Sequence, residues 1–323
     1  AYIQKAYSYI KAKAPGTKVL ISGWGSETQM ALLLNGLDKS LPQDIVFSML
    51  NPHGGSRVHP SFFKEITRNR GVWAIPWLET DASLWHLQPR VDLMREHIKK
   101  AFDDGLNGVV AIHWRTEEIK LNWSTFAFFA SNPGSIKSTA EIYEDYCATE
   151  LGTYAARHLS PELLDLDLSG LINSIQSPVY YSYTPAWGRL EKKQEDACVR
   201  IMGIMDECIA YETEEILISN LSWLRSCFEF TLLLHEAGVA MQPSWDLRKA
   251  YLIDHGKSQL SKKKMENAKR TLTNAPVEDM LKVFASKVRS RGELGELSSL
   301  NQRVWREYQL LHEFLENQSE EIH

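Results

Sequence analysis

Three short stretches of the chain set carboxylates beside indoles. GWGSE (23–27) carries Trp24 and Glu27, PWLETDASLW (76–85) carries Trp77, Glu79, Asp81 and Trp85, and HWRTEE (113–118) carries His113, Trp114, Arg115, Glu117 and Glu118. A protonated carboxyl can assist a leaving group while a second carboxylate acts as nucleophile or base. A flat indole offers a stacking surface to the apolar face of a sugar ring. The guanidinium of Arg115 presents a two-pronged donor that matches an acidic substituent such as a uronate. His53, in NPHGGSRVHP (51–60), adds a ring nitrogen to a loop that holds Gly54 and Gly55. On this reading Glu79, Glu117 and Glu27 are the candidate catalytic residues. Trp24, His53, Trp77, Asp81, Trp85, His113, Trp114 and Arg115 are the candidate substrate contacts.

Each residue also has a plainer explanation. The tryptophans end apolar runs and could cap a core, and Glu27 could be the first-turn carboxylate of a helix, where the backbone dipole favours it. Glu79 has no helix directly behind it, so capping explains it least. Of the two glutamates after Arg115, Glu117 is nearer the strand end and is expected to face the site, with the other one solvated. Arg115 could pair with either. His53, His59, His86 and His113 share no co-ligand spacing, so no metal is expected. No G-x-G-x-x-G or G-x-x-x-x-G-K-[ST] follows any apolar run, so no phosphate-bearing cofactor is expected either.

These residues need elements to hold them. KVLISGW (18–24), DIVFSML (44–50), GVWAIPW (71–77) and GVVAIHW (108–114) are continuous β-branched apolar runs, as strands covered on both faces are. Helical patterns follow them at 27–37, 59–71, 89–105 and 121–130. The repeat is roughly 30 residues, the length of a βαβ unit. Candidate groups at the carboxyl ends of successive parallel strands are how (β/α)8 barrel enzymes are built. The expected fold is therefore α/β: residues 1–152 as the second half of a (β/α)8 barrel, with its first four units upstream of Ala1, and residues 153–323 as a mainly α-helical domain.

GWGSE, LPQDIVFSML (41–50), the terminal HWRTEE and FAFFASNPGSIKSTAEIYEDYCATELG (126–152) together resemble the later strands of barrel glycoside hydrolases of the family 20, 67 and 84 type, which include hexosaminidases and α-glucuronidases. The resemblance implies cleavage of O-glycosidic bonds in carbohydrates containing amino sugars or uronic acids. It also implies a periplasmic or extracellular setting, and a principal acid after the fourth barrel strand, upstream of this chain. Two other readings stay open: a non-catalytic carbohydrate-binding or scaffold protein on a degenerate barrel, and a barrel enzyme of another class such as a metal-dependent hydrolase.

Composition excludes other classes. At 323 residues with 44% hydrophobic residues, the chain can bury two moderate cores. The net charge is −5 with dispersed Lys and Arg, which argues against a nucleic-acid partner. No apolar run reaches the roughly 18–20 residues of a membrane span. Cys147, Cys198, Cys208 and Cys227 form no C-x-x-C pair and are expected as buried free thiols. Oligomeric state leaves no signature. Beyond residue 152, EDACVRIMGIMDECI (195–209) is expected to turn Val199, Met202, Met205 and Ile209 inward, and WREYQLLHEFLENQ (305–318) reads as another core helix. SKKKMENAKR (261–270) reads as a solvated face. The aromatic stretch SPVYYSYTPAWGRL (177–190), with Tyr180, Tyr181, Tyr183 and Trp187, reads as a wedge between domains, and SRGELGELSSLNQRVW (290–305) opens as a charged, Gly-rich turn.

Overall fold

The computed structural model describes residues 2–50, 58–80, 84–173, 175, 183–254 and 261–320. The chain is mixed α/β and divides into two compact units. One comprises Ala1–Thr80, Arg90–Trp114 and Ile119–Ile142; the other comprises Asp81–Pro89, Arg115–Glu118 and Tyr143–His323.

In the first unit α1 (Tyr2–Lys13), β1 (Leu20–Trp24), α2 (Glu27–Asp38), β2 (Val46–Leu50), α3 (Phe63–Ile66), β3 (Val72–Ala74), α4 (Val91–Asp103), β4 (Gly108–Val109) and α5 (Lys120–Ser131) alternate along the chain. The four strands form a parallel sheet in the order β1-β2-β3-β4, with Leu20 opposite Val46 and Trp73 opposite Gly108. Phe47, Met49, Phe63, Val72 and Ala74 fill its core with Met30 and Leu34 of α2. The third and fourth strands are shorter than the apolar runs suggest. Pro76 has no N–H to give the ladder, yet pairing resumes beyond it: Ile112 N donates to Pro76 O (3.3 Å) and Leu78 N to Ile112 O (3.0 Å). Gly108 is required by Trp73, since a Cβ there would lie 2.3 Å from the indole Nε1.

The expected helix over 59–71 shrinks to the four residues of α3, and beyond it Arg70 is committed to other partners. Its guanidinium is buried, with Nε donating to Asp38 (2.5 Å), Nη1 to Pro42 O and Ile45 O, and Nη2 to Asp38 O and Leu41 O. The group also lies 4.1 Å from the centroid of the Phe47 ring. Burial alone would raise the Asp38 carboxyl, but Arg70 and Asn69 hold it below its ordinary value. A depressed acid pKa stabilises the fold above the ordinary carboxylate range, and that contribution is lost as pH falls through the folded value. Arg70→Ala strands these carbonyls and is expected to cost about 3 kcal/mol in urea denaturation at neutral pH, with a smaller difference from the parent in acid.

In the second unit α6 (Thr139–Tyr146), which contains the boundary after Ile142, leads through a π turn (Cys147–Leu151) to α7 (Thr153–His158) and α8 (Ser160–Ser169). Gly152 between them has φ +100°, and a Cβ there would meet Glu212 at 2.1 Å. Then come α9 (Lys192–Tyr211), α10 (Glu215–Ile253), α11 (Lys262–Thr273), α12 (Val277–Ser286), α13 (Arg291–Leu300), a π turn (Asn301–Trp305) and α14 (Arg306–Glu320). Phe230, Leu234 and Met241 of the 39-residue α10 pack with Leu272, Phe284 and Leu311.

Two expectations for this region are corrected. On α9 the buried face is Ala197, Cys198, Ile201, Met205 and Cys208, while Val199 is 56% exposed. Met205 is buried as expected, Met202 and Ile209 are half-buried, and Val199 faces outward. Residues 291–300 are helical rather than a turn, because Ser290 and Glu293 form a capping box that nucleates α13. Tyr183 is buried in the helical core with Trp187 partly buried against it, while Tyr180 and Tyr181 lie outside the described residues. Lys262, Lys263 and Lys264 are exposed.

All four cysteines are free and buried. Burial pushes the thiols of Cys147, Cys198 and Cys227 up to about 12 and that of Cys208 to about 11. The thiolate is the nucleophile, so the native protein at pH 7 is expected to leave all four unmodified by iodoacetamide, and guanidinium to release four alkylations by intact-mass measurement. Any native alkylation contradicts this burial. No helix among the described residues is long and apolar enough to cross a membrane.

Candidate functional site

The carboxyl ends of β3 and β4 bring Trp77, Glu79 and Trp114 together within the first unit. Glu79 is fully buried, and its Oε1 accepts from the backbone N–H of Trp114 at 2.6 Å. The indoles of Trp77 and Trp114 lie 5.8 Å apart between centroids, tilted by 55°. Trp77 is buried with its Nε1 lacking a hydrogen-bond acceptor, while Trp114 is exposed. A carboxylate taken out of water is costly unless it is bonded, and the Trp114 N–H provides one such bond. His113, one residue earlier, packs edge-on against Trp123 of α5 at 4.9 Å.

Residues with no chemistry of their own pin this arrangement. Asn122 of α5 is buried; its Nδ2 donates to Leu78 O (2.9 Å) and its Oδ1 accepts from Arg90 N (3.0 Å). Arg90 Nη1 in turn donates to Trp77 O at 3.4 Å. An asparagine inside the apolar run LNWSTFAFFA was the signal that could have revealed this brace, since a polar side chain there must find partners.

The other candidates fall elsewhere. Glu27 starts α2 behind the Ser26 cap, and its Oε1 accepts from the backbone N–H and the hydroxyl of Ser61 at 2.8 and 2.5 Å. Trp24, at the end of β1, is 70% exposed. His53 and Asp81 lie outside the described residues.

Trp85, Arg115 and Glu117 belong to the second unit. Trp85 is buried in the helical core and Glu117 is half-buried. The fork of Arg115 is occupied by protein acceptors: Nη1 donates to Leu84 O (2.5 Å), Nη2 to His86 O (2.8 Å), and Nε approaches Glu296 at 3.9 Å. The expectation of a solvated second glutamate is corrected, because Glu118 is buried and Lys287 Nζ lies 2.8 Å from its Oε1.

Lys287, Glu293 and Glu296 complete a charged cluster that sequence reasoning did not mark. Their signal was faint: a lysine directly behind the apolar VFAS, and two glutamates in a segment read as a turn. Burial pushes the Glu118 carboxyl up, but Arg115 and Lys287 outweigh it and hold it low. Burial works against the Lys287 ammonium, yet surrounding negative charge, Glu118 included, keeps it above the ordinary lysine value. Glu293 is raised by burial and by the neighbouring Glu118, even though its Oε2 accepts from the N–H groups of Arg289 and Ser290.

His86 is neutral, lowered to about 3 by burial and then by Arg115 and Lys287. Thr231 spends its hydroxyl proton on Cys227 O (3.0 Å), so it accepts from His86 Nδ1 (3.2 Å). This network assigns the proton to Nδ1 and leaves Nε2 as a buried lone pair without a partner. Among the described residues no group of three His, Cys, Asp or Glu could hold a metal ion. Compared with known proteins, the chain matches no family model and no curated protein.

Proposed function

We propose that the chain is part of a glycoside hydrolase that cleaves O-glycosidic bonds in carbohydrates containing amino sugars or uronic acids by carboxylate acid/base catalysis. Its four parallel βα units are read as the second half of a (β/α)8 barrel over residues 1–152, followed by a helical domain over 153–323. The observation that carries the reading is Glu79: a fully buried carboxylate beside two mutually packed indoles at the carboxyl ends of parallel strands. Glu79 acts as an acid/base group and Trp77 and Trp114 receive the apolar face of the sugar within the first unit; Glu117, in the second unit, is by itself a further candidate catalytic carboxylate.

A second reading is a non-catalytic carbohydrate-binding protein. It is favoured by the fact that Glu79 and Glu27 each give an oxygen to a backbone N–H of the protein itself. A panel of p-nitrophenyl glycosides, comprising β-N-acetylhexosaminides, α- and β-glucuronides and hexosides, separates the two when incubated with this chain and with the longest reading frame that contains it. Release from one member supports the hydrolase and names the sugar. Binding on a glycan array with no release from any member favours the second reading.

A further inference from the structure

We propose that Lys287 is a positioning residue, whose buried ion pair with Glu118 fixes the segment Arg115–Glu118 and thereby orients Glu117. The inference rests on the hydrolase reading for what Glu117 does, and on geometry within the helical unit for how it is held.

Lys287 follows α12 and is anchored through its backbone, where its carbonyl accepts from Trp223 Nε1 of α10 at 3.0 Å. Its ammonium lies 4.0 Å from the centroid of the Phe284 ring and reaches Glu118, 169 residues away in sequence. Both side chains of the pair are at most 2% exposed. On the far side of Glu117, Arg115 is clamped to the carbonyls of Leu84 and His86. Glu117 is thus held between two buried ionic anchors, one on each side of it in the chain. Leu84 and His86 are thereby tied to the same cluster.

Stability alone does not account for this arrangement. Burying an ion pair costs desolvation that its attraction barely offsets, and apolar replacement of similar volume is often neutral or stabilising. What a buried pair supplies and an apolar contact does not is a single direction and register. The surroundings suit that role. Two cations, Arg115 and Lys287, face three carboxylates, Glu118, Glu293 and Glu296. Burial and the neighbouring Glu118 raise the Glu293 carboxyl above its ordinary value.

The test is hydrogen exchange by mass spectrometry on the full chain, comparing the parent with the double variant Lys287→Met and Glu118→Gln, which removes both charges and so leaves neither one stranded. Exchange of amides 84–88 and 115–118 is expected to rise about tenfold or more, while amides in the core of α10 stay at the parent rate. Unchanged exchange at 115–118, or an equal rise throughout α10, overturns the proposal. On whichever aryl glycoside the parent cleaves, the double variant is expected to lose kcat by about tenfold with KM unchanged, and a kcat equal to the parent's also overturns it. A parent that cleaves no glycoside removes the functional reading alone, since the exchange result still decides whether Lys287 holds the segment.

Discussion

On the hydrolase reading, Glu79→Gln is expected to lower turnover of the cleaved aryl glycoside by about a hundredfold or more, the scale of a lost general acid or base. The substitution is chosen because it separates chemistry from structure. The Gln amide oxygen can still accept from the Trp114 N–H, so the bond that holds the strand end is kept while the ionisable group is removed. Thermal stability is accordingly expected to stay near the parent's. Glu79→Ala does both kinds of damage: it also strands the Trp114 N–H, at a further cost of about 1–3 kcal/mol in stability. Steady-state kinetics on the cleaved aryl glycoside, with melting curves for both variants, decide the matter. A Glu79→Gln variant that turns over at the parent rate withdraws Glu79 from catalysis and leaves it as a brace for Trp114.

Lys287→Met is expected to destabilise the protein by about 3–5 kcal/mol, because it leaves the Glu118 carboxylate buried without its cation. The double variant with Glu118→Gln is expected to recover most of that loss. The pH dependence follows from the two shifts. Glu118 is depressed in the folded state, so its contribution is present above the ordinary carboxylate value and is lost as pH falls through the lower folded value. Lys287 is raised, so its contribution is present below the ordinary lysine value and is lost as pH rises through the higher folded value. The pair therefore stabilises a broad plateau around neutrality. Glu293 works the other way: raised in the folded state, it stabilises in acid and loses that contribution as pH climbs through its folded value. In the single variant Glu118 has lost its partner, so the deficit relative to the parent is largest near neutrality and shrinks in acid, where the carboxyl protonates. Urea denaturation between pH 4 and 8 measures this directly. A single-variant cost under about 1 kcal/mol at pH 7 contradicts the buried-pair assignment.

The sequence by itself determined the local grammar. Continuous β-branched runs at a βα repeat point to a parallel sheet, and the register Leu20 with Val46 and Trp73 with Gly108 realises it, although β2 is buried on both faces while β1 leaves Ser22 and Trp24 exposed. The helical periods beyond residue 152 and the buried thiols were legible for the same reason: burial leaves its mark in spacing. Within the candidate site, that grammar put Trp77, Glu79 and Trp114 at strand ends, and the fold brought those three into contact.

Tertiary structure decided what spacing does not encode. On α9 two apolar stripes compete, and a helix has no internal means of choosing between them. Its neighbours admit Cys198, Ile201 and Cys208 and leave Val199 outside. Arg70 became a buried hub for five acceptor atoms because the turn around it presents carbonyls that no periodicity announces. Arg115 and Glu118 look on paper like the rim of a site, but they are claimed by the helical unit, through carbonyls about 30 residues upstream and a lysine 169 residues downstream. A charged side chain in sequence carries no record of its partner, because the attraction that justifies its burial exists only once distant segments have met and excluded water.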